Sequence, residues 1–174
     1  MRSNLDENHP LRKLFSALVE HTFQVELGIC DPRLTTYLAD MLADFLHMDR
    51  IYRMACIDGE RIRELSRMEA DAYLGPQVGE PDRTRLINRY IGDFTLFWTG
   101  VYPESLRFGG QDRLCLYLRQ GKRSYGIAGE LTDDEDDPPG YLLNRLGCEF
   151  EACVHGLHRV RECWQSPGDW SLPN

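Results

Sequence analysis

The stretch GYLLNRLGCEFEACVHGLHRVRECW, residues 140–164, places Leu143, Leu146, Phe150, Cys153, Leu157, Val160 and Trp164 at successive spacings of 3, 4, 3, 4, 3 and 4. Side chains three and four residues apart share one face of an α-helix, so this is a three-heptad a/d seam. Such a seam buries itself along a near-parallel neighbour, either inside a helical domain or across a dimer. In the same register Glu151, His155 and His158 fall at b, f and b, opposite the seam. They are expected in solvent.

The same period recurs upstream. From Gln111 to Leu131, one face carries Leu114, Tyr117, Leu118, Gly121, Tyr125 and Ala128, with Gly121 and Ala128 small enough for close helix approach. Between these two helices Asp133-Asp134-Glu135-Asp136-Asp137-Pro138-Pro139 reads as a solvated acidic loop. It lacks the alternating ligands and central glycine of a calcium loop. Residues 81–101 give the most apolar helix, with Leu86, Ile87, Tyr90, Ile91, Phe94, Phe97, Trp98 and Val101 covering more than half its circumference. Such a helix is central, or shared with a partner. Gly100 is expected to end it, with a short turn from Pro103 to Arg107. Asp31-Pro32 opens an earlier helix with an N-cap and a first-turn proline; its stripe is Leu34, Leu38, Met41, Phe45 and Met48, widened by Tyr37, Leu42 and Leu46. A first helix runs from Pro10 to Leu27 on Leu11, Leu14, Phe15, Leu18, Thr22 and Val25, and stops at Gly28. A charged helix is expected over 60–74. Ile51 to Ile57 before Asp58-Gly59 reads as a strand and tight turn. The expectation is an all-α, single-domain bundle of about six helices over 9–166, with one short hairpin near 51–62, a disordered tail at 1–8 and an irregular tail at 167–174.

Composition bounds the function. The chain has 174 residues and a formal net charge of −8, a field that repels nucleic acid. Arg83, Arg85 and Arg89 are interleaved with Glu80, Asp82 and Asp93, as on a solvated face laced with ion pairs. The six cysteines, Cys30, Cys56, Cys115, Cys148, Cys153 and Cys163, form no C-x-x-C pair, so the spacing of a structural zinc site is missing. There is no apolar run at the start and none of about eighteen residues anywhere, which predicts neither a signal peptide nor a membrane span. The cysteines are expected to be reduced and half-buried in a cytoplasmic protein.

Two groups of residues are candidates for chemistry. Asp40, Asp44 and His47 stand at i, i+4 and i+7 on one side of the second helix, and His21 joins them if the first two helices pack antiparallel. Carboxylates and imidazoles together suit iron or another divalent metal. The second group is a ligand pocket of Tyr90, Asp93, Phe97 and Tyr125. Asp93 lies between Tyr90 and Phe97 on the most apolar helix, and a carboxylate in a core needs a partner. Arg12, Arg53 or a tyrosine hydroxyl is expected to supply one, as a packing ion pair or as a polar group of the pocket. There is no G-x-S-x-G, no glycine-rich phosphate loop and no E-x-x-H, so nucleophilic and di-iron chemistry have no motif to stand on.

The segment Tyr90-Ile91-Gly92-Asp93-Phe94-Thr95-Leu96-Phe97-Trp98-Thr99-Gly100-Val101-Tyr102-Pro103-Glu104-Ser105-Leu106 resembles the G-D-x-x-L-F-x-x-G-x-x-P-E-x-L stretch of a group of uncharacterised bacterial all-helical proteins. Tyr37-Leu38-Ala39-Asp40 and Gly121-Lys122-Arg123-Ser124-Tyr125 are also similar to that group. The resemblance implies a single bacterial helical domain and no catalytic residue. Arg89-Tyr90-Ile91-Gly92-Asp93 is similar to the start of the distal-helix motif of heme oxygenase, which implies an Asp93 that organises water above a heme and His21 as proximal ligand. Phe94-Thr95-Leu96 departs from that motif. Taken together, these features predict a non-catalytic, homodimeric protein-interaction module without a cofactor, bound to itself or another protein and to neither nucleic acid nor membrane. The alternative is a helical-bundle enzyme or binding protein with an internal metal or small-ligand pocket.

Overall fold

A computed structural model describes residues 9–52, 81–107 and 111–165, with side chains described for 9–46, 81–106 and 113–165. Among these residues the chain is all-α. The helices are α1 (Pro10–Glu20), a π-helical turn (His21–Glu26), α2 (Pro32–Tyr52), α3 (Pro81–Val101), α4 (Pro103–Arg107), α5 (Gln111–Glu130), α6 (Gly140–Cys148) and α7 (Phe150–Gln165). α3 packs most extensively on α5, and α7 lies along α3. α6 packs on α5, and α1 pairs with α2.

The local signals act as their chemistry requires. Asp31 caps α2, its Oδ1 accepting from the amides of Arg33 and Leu34 at 2.9 and 3.2 Å. Gly28 takes φ +69°, left-handed backbone that glycine adopts without a Cβ clash. α1 starts on Pro10, behind a His9 side chain that accepts from the amide of Leu11.

Three expectations are corrected. The first helix buries only part of the predicted stripe: Phe15, Leu18 and Thr22 are buried, together with Val19 and Phe23, while Leu14 is exposed and Val25 is 70% exposed. The end of this helix winds as a π turn over His21–Glu26, and Phe23, one turn on from Val19 on the buried face, packs onto Gly156, where a Cβ has no room. The last helix is two: Glu149, at φ −98° and ψ 23°, separates α6 from α7. The seam crosses this break, and Leu143, Leu146, Phe150, Cys153, Leu157 and Val160 are all buried within the single chain. Gly100 stands one residue from the end of α3, whose bounds are those expected, and its missing Cβ lets Leu157 of α7 approach. Finally, Ile51 and Tyr52 are the last residues of α2 and not a strand. The rest of the expected hairpin, the helix at 60–74 and both tails lie outside the described residues.

α3 is the centre of the bundle. From Phe94 to Val101 every residue is buried. Thr95 and Thr99 keep their hydroxyls satisfied there by donating to the carbonyls of Ile91 and Thr95, both at 2.7 Å. Phe97 stacks on Phe45 of α2 at 5.0 Å between ring centroids.

Candidate functional site

Asp93 is placed by α3 where that helix meets both α2 and α5. Its Oδ1 accepts two phenol hydrogen bonds, from Tyr37 of α2 at 2.5 Å and from Tyr125 of α5 at 2.7 Å. Arg89, one turn back on α3, donates from Nε to the Tyr37 hydroxyl at 3.2 Å, and the same Nε lies 3.9 Å from Asp93 Oδ2. The guanidinium also stands over the Tyr37 ring, 5.3 Å from its centroid, a cation–π arrangement. The backbone makes room for this: the Tyr125 ring lies 2.8–2.9 Å from where a Cβ on Gly92 would be, so only glycine fits.

The electrostatics follow from burial. The Asp93 side chain is 15% exposed, and loss of water pushes its pKa above the usual carboxylate range; Arg89 and the two phenols pull the other way, and the like charge of Asp44 adds to the rise. Burial, and then the charge of Asp93, raise the pKa of Tyr37 and of Tyr125 well above an ordinary phenol. Both hydroxyls therefore keep their protons and act as donors.

Of the predicted pocket residues, Asp93 and Tyr125 thus meet directly. Tyr90 stacks on Phe45 at 5.9 Å, and Phe97 is fully buried in the same aromatic group. The partners of Asp93 are tyrosines and its own helix neighbour. Arg12 pairs instead with Asp40 at 2.7 Å, and Arg53 lies outside the described residues. Tyr37 and Arg89 were not among the residues predicted for the pocket. The signal for Arg89 was its i, i+4 spacing to Asp93; that for Tyr37 was a hydroxyl at the margin of an apolar stripe.

The metal candidates are not drawn together in this way. α1 and α2 are antiparallel about the 27–31 connection, with Arg12 level with Asp40. His21 is exposed and nine residues nearer the connection than Arg12, about 13 Å along the helix at 1.5 Å per residue. Asp44 and His47 lie further away on the other side of that level. The His47 side chain is outside those described. Among the described residues no group of three or more His, Cys, Asp and Glu side chains is arranged to hold a metal ion. A heme does not fit the described side chains either, because the Tyr125 ring fills the space beside Gly92 and His21 is exposed.

Elsewhere charged residues pair with one another. Arg85 bridges to Asp136 of the acidic loop at 2.6 Å. Arg145 of α6 pairs with Asp31, and Lys122 of α5 with Glu151. Glu151 and His155 are exposed as expected, while His158 is half-buried. Cys30, Cys115 and Cys148 are exposed free thiols, Cys163 is intermediate, and Cys153 is buried; burial pushes the Cys153 thiol up to about 12.

Comparison with known proteins gives no match to a family model, to a curated protein or to a solved structure. No helix among the described residues is long and apolar enough to cross a membrane.

Proposed function

We propose that this chain is a non-catalytic helical module that acts through protein contacts. The observation that supports this reading is the use made of Asp93 Oδ1. This carboxylate at the bundle centre spends its Oδ1 on two tyrosine donors from two other helices, which is what a packing strut requires. Asp40 is likewise taken up by Arg12. Large apolar side chains are left outward on several elements, Leu14, Val25, Leu86, Leu116, Leu131 and Tyr141, and burial of such side chains is one source of a protein contact. The seam and the Phe94–Val101 half of α3 are buried inside one chain, so contact with another protein is favoured here over self-association through the seam. The net charge of −8 favours protein over nucleic acid, and free thiols favour a reducing, cytoplasmic setting in a bacterium.

Elemental and absorbance analysis of the purified protein, with its mass by light scattering, tests the reading. A colourless, metal-free protein of one-chain mass is the expected result. Stoichiometric iron or another divalent metal, or a Soret band, would end it.

A second reading rests on one feature of the same cluster. Asp93 Oδ2 lies 3.9 Å from the Arg89 Nε, beyond hydrogen-bond reach, and the carboxylate keeps contact with solvent. There Asp93 is the polar anchor of a small-ligand site, with Arg89 and Tyr90 beside it. A ligand screen by thermal shift discriminates, because a true ligand raises the melting temperature by mass action. A compound that stabilises the wild type but not Asp93→Asn would establish this reading over the first.

A further inference from the structure

We draw no further inference here: the strongest candidate, the open groove between α1 and α2 lined by Arg12, Lys13, Ser16, Glu20, Thr36 and Asp40, holds an Arg12–Asp40 pair that is already internal, and nothing in the structure shows what covers it.

Discussion

Asp93 shows how a single residue acts in opposite senses in two balances. As an acceptor it ties α2 and α5 to α3; as a buried anion it opposes folding. Asp93→Asn keeps the Oδ1 acceptor for both phenols while removing the charge, at the cost of an amide facing Arg89. Asp93→Leu leaves two buried phenol O–H donors without an acceptor and Arg89 without its carboxylate, and is expected to cost about 3–5 kcal/mol, a fall of roughly 6–20 °C in melting temperature for a chain of this size. The pH dependence comes from the raised pKa. The folded state holds the Asp93 proton more tightly than the unfolded chain does, so the stability linked to it is complete below the ordinary aspartate range and is lost as pH rises through the raised folded value. Melting temperatures of wild type and Asp93→Asn measured from acid to neutral pH should therefore diverge in favour of Asn as pH rises. A difference that stays flat would show that the anion carries no penalty. Tyr37→Phe and Tyr125→Phe should each cost about 1.5–3 kcal/mol, the range for a hydrogen bond to a charged group. They share one acceptor oxygen, so a double-mutant cycle should be non-additive; strict additivity would mean that the two bonds are energetically independent and not coupled through that oxygen.

Helix contacts here are set by small residues as much as by large ones. Gly92 admits the Tyr125 ring, and Gly121 admits Phe150 and the Thr95 hydroxyl. Both glycines cost their helices about 1 kcal/mol relative to alanine in intrinsic propensity, and at both an added methyl meets an atom of the core. Gly92→Ala and Gly121→Ala are expected to destabilise by about 1–3 kcal/mol through overpacking, against the gain in propensity. Gly126, with nothing within 4 Å of its would-be Cβ, is the internal control: Gly126→Ala should stabilise. Chemical denaturation of the three variants decides the matter, and stabilisation by all three would refute the close approach. At the start of α2, Asp31 both caps the helix with Oδ1 and pairs with Arg145 through Oδ2. Asp31→Ser should retain most of the stability, since serine still caps and a partly exposed ion pair contributes little, whereas Asp31→Ala should lose about 1 kcal/mol. Equal losses in the two would assign the energy to the pair and not to the cap.

At the scale of the whole molecule, α3 has α5, α7 and α2 around it, and the heptad seam of α6 and α7 faces inward. The seam is therefore spent inside one chain. Thiol chemistry checks the arrangement. In the native state Cys30, Cys115 and Cys148 should be alkylated readily, as resolved by peptide mass analysis, while Cys153 stays protected until denaturant is added, being buried and with its thiolate disfavoured. Alkylation of Cys153 at the rate of Cys148 would mean that the packing over the buried face of α7 opens in solution.

Periodicity by itself determined that the chain is helical, where α2, α3 and α5 run within a few residues, and that Leu143 to Val160 turn one face inward. These features come from local geometry: 3.6 residues per turn, a capping aspartate at 31, a left-handed glycine at 28. It also marked Asp93 as a carboxylate in need of a partner. Which groups answer that need was decided only by the tertiary structure. Tyr37 stands 56 residues away in sequence and Tyr125 stands 32 away, and an apolar stripe defines a face without naming the helix that covers it. The π turn and the break at Glu149 escaped the pattern for a related reason. Each changes the winding without interrupting the buried face, Phe23 lying one turn on from Val19 in one case and the seam continuing from Leu146 to Phe150 in the other, so the spacing of apolar residues carries no mark of it.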